Sequence, residues 1–160
     1  MSVPENETTS VRSESGAGPL RAPTDHRGLR VLSFEECQER LKATPVGRVA
    51  LVHAGEPVVF PVNHAMDGVD VVFRTLWGSK LRAAEDAGTV AFEVDGYDTV
   101  TETGWSVIVK GTAEVVYEDE DTNRYDRMRL RSWADTAEAG FWVRIRPIEV
   151  TGREVLPPAT

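Results

Sequence analysis

Apolar and polar residues alternate over six short stretches of the chain, a pattern typical of half-buried β-strands. Gly55-Glu56 lies between the first two stretches and predicts a hairpin turn, and Met66-Asp67-Gly68 predicts a second turn. In the third stretch Phe73 and Arg74 must lie on opposite faces, because successive side chains of a strand alternate. The predicted strands are, in chain order, VGRVALVHA, PVVFPVNHA, VDVVFRT, TVAFEVD, GWSVIVKGTAEVVY and FWVRIRPIEVTGREV.

Three further segments have the apolar spacing and the end signals of helices. LSFEECQERLKAT places Ser33 and Glu36 at the spacing of a capping box. KLRAAEDAG follows Ser79 as a cap and ends at Gly88, and DTNRYDRMRLRSW follows an acidic run that favours a helix start. Short antiparallel strands joined by tight turns, with a few helices between them, predict a mainly β fold, a small six-stranded antiparallel barrel.

The first thirty residues differ in composition from the rest of the chain. They contain no Phe, Trp or Tyr and are rich in Ser, Thr, Glu, Gly and Pro. Such a segment cannot bury enough apolar area to offset the entropy lost on ordering. We therefore expect a disordered N-terminal tail over residues 1–30, one barrel domain over residues 31–155 and a C-terminal tail over residues 156–160.

Charge and cysteine content narrow the class of partners. The 160 residues include 18 Lys and Arg against 26 Asp and Glu, a formal charge of −8 that would repel nucleic acids and anionic membranes. The single cysteine, Cys37, cannot form an intramolecular disulfide, and no zinc-ligand spacing surrounds it, so no metal site is expected. No apolar run approaches the length of a membrane span, and the N-terminus lacks the apolar segment of a signal peptide. A cytoplasmic protein is the expectation.

The segment FRTLWGSKLRAA carries the clearest chemical signal. It places Arg74 and Thr75 at a strand end and Ser79 and Lys80 at a predicted helix start. Free backbone N–H groups and the helix dipole favour an anion at such a start. Two cations and two hydroxyls beside it predict a site for a phosphate monoester.

This segment belongs to a longer succession: PVNHAMDG, VVFRTLWGSKL, VAFEVD, GWSVIVKGTAE and WVRIRP. The succession, over roughly residues 32–153, resembles the pyridoxamine 5′-phosphate oxidase-like family of FMN-binding split barrels. It is most similar to the actinobacterial and nitroimidazole-resistance-like branch. The resemblance implies a homodimer with FMN at the subunit interface and flavin-dependent oxidoreductase chemistry on a small molecule.

The resemblance also implies where the cofactor would lie. Val62 and Asn63 would follow the flavin ring or ribityl chain, and Ser79 and Lys80 would hold the phosphate. Phe73, Arg74 and Thr75 would line the ribityl–phosphate region between them. The full set of implied cofactor-binding residues is Val62, Asn63, Phe73, Arg74, Thr75, Ser79, Lys80, Trp105, Ser106 and Trp142.

Two departures from the family limit what can be transferred. The chain has no Arg-x-His segment, which the vitamin B6 oxidases use for their substrate, and Arg74 stands where the nitroimidazole-resistance branch commonly has a histidine. No residue stands out as a general base, so the catalytic residues stay unassigned. Three alternatives remain open: a reductase using the deazaflavin F420, a non-catalytic flavin-binding or storage module, and a haem protein. F420 would need a basic groove, for which the candidates are Arg48, Lys110, Arg144 and Arg146.

The last strand bears on assembly. Phe141, Val143 and Ile145 share one face, and Trp142 falls on the other face beside Arg144. If the barrel core takes only the first set, Trp142 is left exposed. We therefore expect Trp142 to anchor a symmetric homodimer and to wall the cofactor site of the partner.

Overall fold

The structure is a computed structural model that describes residues 23–75, 88–128, 130 and 140–157. Within these ranges the chain forms seven strands and two helices. In chain order they are β1 (Arg30–Val31), α1 (Phe34–Ala43), β2 (Val46–His53), β3 (Glu56–Asp67), β4 (Asp70–Thr75), β5 (Thr89–Asp98), β6 (Thr103–Val116), α2 (Asp119–Asp126) and β7 (Phe141–Val155).

The strands form one antiparallel sheet in the order β1-β7-β4-β3-β2-β5-β6, and an additional β6–β7 pairing closes the six long strands into a ring. The β6–β7 ladder is long and contains a bulge between Lys110 and Gly111, whereas β2 and β5 pair only from Arg48 to Ala50. The expected six-stranded antiparallel barrel is confirmed, with β1 added at its edge.

Both predicted hairpin turns exist, each displaced by a residue or two. The β2–β3 turn is Ala54-Gly55, with φ of 50° and 82°, and His53 pairs with Glu56. Two consecutive positive φ angles are typical of the two-residue hairpin turn whose twist matches that of the flanking strands. The pairing of His53 with Glu56 leaves these two residues as the turn. The β3–β4 turn lies at residues 68–69, two residues beyond the expected start at Met66.

The barrel interior is filled from alternate positions of every long strand, as the alternation predicts. Helix α1 closes one side of this core. Its expected capping box between Ser33 and Glu36 is present, and Cys37 and Leu41 are buried. The fully buried members of the interior are Val49, Val71, Phe73, Phe92, Val94, Val107, Val109, Val143 and Ile145.

A second apolar cluster lies on the outer surface of the barrel, beneath α2. It consists of Val72, Val116, Tyr125 and Trp142, with partly buried Ala65, Met128 and Leu130 packed against it. The expectation that Trp142 is exposed is therefore wrong, because its side chain is only 4% exposed. Strand alternation placed Trp142 on the outer face correctly, but α2 of the same chain covers that face.

Helix α2 is tied to the sheet by charge-assisted hydrogen bonds. Arg144, in β7, donates to Asp121 of the helix at 3.0 Å and to Glu114 of β6 at 2.6 Å. The hydroxyl of Tyr125 donates to Asp67 of β3 at 3.1 Å, and burial raises the pKa of that hydroxyl. These bonds fix the helix over the second cluster.

The helix ends earlier than its sequence predicts. The expected segment covered residues 121–133, whereas α2 starts at Asp119 and ends at Asp126. The amide of Met128 then donates to the carbonyl of Tyr125 at 2.9 Å, which tightens the chain into a turn. The helix expected after Ser79 lies outside the described residues, although Gly88, its expected terminator, has a φ of 63°.

Part of the expected N-terminal tail lies on the barrel. Residues 23–30 are described, and Arg30 pairs with Glu154 of β7. Asp25 accepts a hydrogen bond from Arg153 at 3.1 Å. The rest of the tail, residues 1–22, lies outside the described residues. None of the described helices is long and apolar enough to span a lipid bilayer.

Candidate functional site

Arg74 lies on the outer face of β4, near the end of the strand. It pairs with Trp142 of β7, while its neighbour Phe73 points into the barrel and is only 1% exposed. The predicted opposition of these two side chains is confirmed. A half-buried cation at a strand end is available to an anion that approaches from outside the barrel.

Three groups of the same chain hold the Arg74 guanidinium. Its Nε donates to the carbonyl oxygen of Gly140 at 3.1 Å. Its central carbon lies 5.6 Å from the ring centre of Trp142, and its Nη1 lies 3.8 Å from a carboxylate oxygen of Asp126. The 3.8 Å separation is an ion pair without a hydrogen bond, so within the described residues the two Nη groups of the guanidinium have no hydrogen-bond acceptor.

Gly140 permits this arrangement because it has no side chain. A Cβ there would stand 2.7 Å from the carbonyl oxygen of Thr75 and 3.3 Å from Cγ of Arg74. Any larger residue would press on both strand-end residues. The Gly140 backbone thus lies directly against the end of β4 and against the Arg74 side chain.

Asn63 lies next to Arg74 on the neighbouring strand. The last β3–β4 pair is His64 with Phe73. Asn63 precedes His64 and Arg74 follows Phe73, so in an antiparallel pair the two occupy the next opposite positions, on the same outer face. The amide of Asn63 donates to the carbonyl of Pro45 at 3.3 Å. Where the ladder stops, the two strands leave polar side chains side by side.

A cleft of about 490 Å³ opens beside Asn63, between the end of α1 and the segment after α2. Its volume falls within the range of small-molecule sites, and its walls are mostly apolar. The described lining residues are Leu41, Lys42, Pro45, Asn63, His64, Ala65, Met66, Met128 and Leu130.

His64 borders this cleft but is committed to the fold. Its side chain is 5% exposed, its Nε2 lies 2.9 Å from the carbonyl of Leu41, and its ring meets Phe92 edge-on at 4.7 Å. Burial lowers the pKa of the imidazole, and the bond to Leu41 opposes that shift. A neutral ring that donates from Nε2 fits this geometry, and its Nδ1 is buried without a hydrogen-bond partner among the described residues.

The remaining predicted site residues of β3 and β4 differ in exposure. Val62 and Phe73 are buried in the barrel interior, so any cofactor contact from them would be through the main chain. Thr75 is half-buried and pairs with Phe141. Ser79 and Lys80 lie outside the described residues.

Trp105 and Ser106 lie at the opposite end of the barrel from Arg74. Trp105 pairs with Glu154. The central carbon of the Arg40 guanidinium lies over its indole ring, 4.6 Å from the ring centre. Val116, which pairs with Trp142 beside Arg74, is separated from Trp105 by most of β6, on the order of 30 Å of extended chain. One chain therefore brings together Asn63, Arg74, Thr75 and Trp142, but not Trp105 and Ser106.

The four cations considered for a basic groove are all paired with carboxylates. Arg48 donates to Glu93 and Asp95, at 3.1 and 2.9 Å. Lys110 donates to Glu149, at 2.8 Å. Arg144 and Arg146 share Glu114, at 2.6 and 2.9 Å. These carboxylates compensate the positive charge of the four cations within the described chain. The case for a basic groove that binds the polyanionic tail of F420 is therefore weaker.

Two contacts of Arg74 were not anticipated from the sequence. Asp126 ends a short surface helix, and Gly140 precedes a strand, and neither belongs to a recognisable motif. A carboxylate in the last turn of a helix is locally unfavourable, because the helix dipole is negative there. No signal in the sequence marks Asp126, because the predicted helix runs on to residue 133 and places Asp126 in its interior.

A closed antiparallel barrel of six long strands places this chain in the class of small split barrels. The chain belongs to the pyridoxamine 5′-phosphate oxidase family, whose pattern matches residues 33–154. The resemblance inferred from the strand succession is thereby confirmed.

Three proteins of known sequence or structure are similar to this chain. An uncharacterized protein of Mycobacterium tuberculosis, Rv0080, is 36% identical over 145 residues, which cover 87% of this chain and 94% of the relative. The FAD binding protein from Mycobacterium smegmatis is 38% identical with a TM-score of 0.68, over 78% of this chain and 96% of that one. An FAD-binding protein from Mesorhizobium loti is 26% identical with a TM-score of 0.66, over 80% and 99% of the two chains.

Proposed function

We propose that this protein binds FMN through a phosphate contact at Arg74 and uses it as a flavin-dependent oxidoreductase of a small molecule. The observation that carries the proposal is the Arg74 guanidinium at the outer end of β4. Its two Nη groups make no hydrogen bond within the described residues, and Asn63, next to it on β3, lines an apolar cleft. Family membership supplies the expectation of a flavin.

The residues around Arg74 fit a flavin mononucleotide in kind. Arg74 would donate to the phosphate, and Ser79 and Lys80 follow it closely in sequence. Asn63 offers an amide at the cleft edge, and the cleft wall includes Met66, Met128 and Leu130, which suit an aromatic ring system.

FAD is the second candidate, because the Mycobacterium smegmatis relative is an FAD binding protein. FMN and FAD share the phosphate next to the ribityl chain, so the Arg74 contact serves both. The deazaflavin F420 has less support, since its candidate cations are paired with carboxylates.

A bound flavin would supply hydride transfer at its N5 atom. The chain's own contribution is positioning and water exclusion: Arg74 fixes one end of the cofactor, and the apolar cleft shields the other. No described residue near the cleft is an accessible general base, because His64 is buried and bonded to Leu41. A flavin-binding module without turnover is the alternative, and reduction of the bound flavin by NADH or NADPH would argue against it.

The phosphate contact is tested by comparing FMN with riboflavin, which lacks the phosphate. Titration followed by flavin fluorescence should show tighter binding of FMN, and Arg74→Ala should remove roughly 1.5–3 kcal/mol of that preference. Equal affinities for FMN and riboflavin in the parent would contradict the proposal. FAD and F420 titrated in parallel identify the preferred cofactor.

We also propose that the active unit is a homodimer. Trp142 does not support it, because it is buried within its own chain, but two other features do. The family resemblance implies that Trp105 and Ser106 line the same cofactor site as Arg74, and their separation from Arg74 along β6 means that they would do so from a second copy. In addition, Val52, Val59, Pro57 and Pro61 form an apolar strip on the outer face of β2 and β3.

Light scattering should give twice the chain mass at micromolar concentration. Val59 is 64% exposed, and Val59→Glu should shift the mass towards the monomer, because it would bury a carboxylate against the strip of the partner. Val100→Glu is the matched control, since Val100 is 90% exposed in the turn between β5 and β6. A monomeric parent that binds flavin with full affinity would contradict the shared site.

A further inference from the structure

Asp126 is placed where its own helix does not favour it. It is the last residue of α2, where the dipole disfavours a carboxylate, and the side chain is half exposed. A surface position in a short helix has no local need for aspartate. The reason must come from what the carboxylate contacts outside the helix.

Those contacts are two residues of the site. Trp142 donates from its indole Nε1 to the Asp126 carboxylate at 2.8 Å, which fixes the orientation of that carboxylate. The same carboxylate oxygen lies 3.8 Å from Nη1 of Arg74. The indole ring that orients Asp126 also lies against the guanidinium of Arg74. The three side chains form one connected unit.

The base of this unit is rigid. The ring of Tyr125, the residue before Asp126, packs edge-on against Trp142 at 5.5 Å between ring centres. Arg144 joins α2 to β6 and β7 through Asp121 and Glu114. A carboxylate at the end of a helix held in this way has little freedom, so it can limit the freedom of Arg74.

From this geometry we infer that Asp126 is a positioning residue for ligand recognition. With Trp142 it holds the Arg74 guanidinium in the orientation that receives the phosphate of a flavin nucleotide. The inference rests on the proposed contact between Arg74 and that phosphate. Holding a flexible cation in its binding rotamer lowers the entropy lost when the ligand binds.

The test compares the affinities for FMN and riboflavin in four proteins: the parent, Asp126→Asn, Arg74→Ala and the double variant. Asparagine keeps an oxygen that can accept from Trp142 and removes only the charge. Asp126→Asn should weaken FMN binding roughly threefold to tenfold, within the range of coupling between contacting residues, and leave riboflavin binding unchanged. In the Arg74→Ala background it should have no further effect.

Glu120→Gln is the matched control, because it removes one carboxylate from an exposed position of the same helix and should leave both affinities unchanged. A structural role alone would weaken FMN and riboflavin equally. The inference would be overturned by an equal loss of affinity for both ligands, by an unchanged or increased FMN affinity, or by an additive loss in the double variant. If Arg74→Ala itself leaves the preference for FMN intact, the proposed phosphate contact fails, and the inference fails with it.

Discussion

The two apolar clusters of this protein differ in what surrounds them. The barrel interior is lined almost entirely by aliphatic and aromatic side chains, with His64 as a buried polar member. The outer cluster beneath α2 has charged side chains beside it. Trp142 and Tyr125 of this cluster each donate a hydrogen bond to a carboxylate, of Asp126 and Asp67 respectively. The interior stabilises the fold, whereas the outer cluster also holds the cation at the candidate site.

This difference has an experimental consequence. A substitution inside the barrel should lower stability without changing how the folded protein discriminates between FMN and riboflavin. A substitution beneath α2 should change that discrimination as well.

Phe92→Ala should cause the largest loss. Phe92 is fully buried, and its ring lies over Gly47 so closely that any side chain at Gly47 would overlap it. Removing a ring from such a site costs about 3–5 kcal/mol of unfolding free energy, which urea denaturation would measure. Tyr97→Ala, on the same strand but 68% exposed, is the control and should cost far less.

The folded fraction of Phe92→Ala should keep the parent's ratio of FMN to riboflavin affinity. A changed ratio would show that the barrel interior and the Arg74 site are coupled, and the two clusters would then have to be treated as one unit.

His64 makes the interior sensitive to acid. Burial lowers the pKa of its imidazole in the folded state, whereas the unfolded chain takes up a proton near pH 6.5. As the pH falls below that value the unfolded state binds more protons, so stability falls with a slope of at most about 1.4 kcal/mol per pH unit. The loss continues until the pH reaches the lowered pKa of the folded state.

His64→Gln should remove this part of the slope, measured by urea denaturation between about pH 7.5 and about pH 5.5. Glutamine can still donate to the carbonyl of Leu41, so the packing contact is partly kept. The same substitution at His53, a half-buried residue at the end of β2, is the matched control. A His64 variant that follows the parent's pH curve would contradict the prediction.

Much of the fold was predictable because it depends on local rules. Strand alternation assigned Phe73 and Arg74, and likewise Val143 and Trp142, to the correct faces, and the Ser33–Glu36 spacing identified the start of α1. The site was less predictable. Which element covers the outer face of β7 depends on contacts between distant segments, so the burial of Trp142 and its bond to Asp126 left no mark in the local pattern.

The smallest expected effect is a gain in stability at the β2–β3 turn, far from both clusters. Ala54 adopts a φ of 50°, in the left-handed region that costs an L-residue with a Cβ roughly 1 kcal/mol. Asparagine tolerates this conformation, and Asn-Gly is the preferred pair for a two-residue turn with two positive φ angles. Ala54→Asn should therefore raise the unfolding free energy by about 0.5–1 kcal/mol in urea denaturation. Because the turn contacts neither cluster, the ratio of FMN to riboflavin affinity should stay at the parent's value. A gain in stability that also shifted this ratio would mean that ligand discrimination follows global stability, and the separation between the two clusters would be lost.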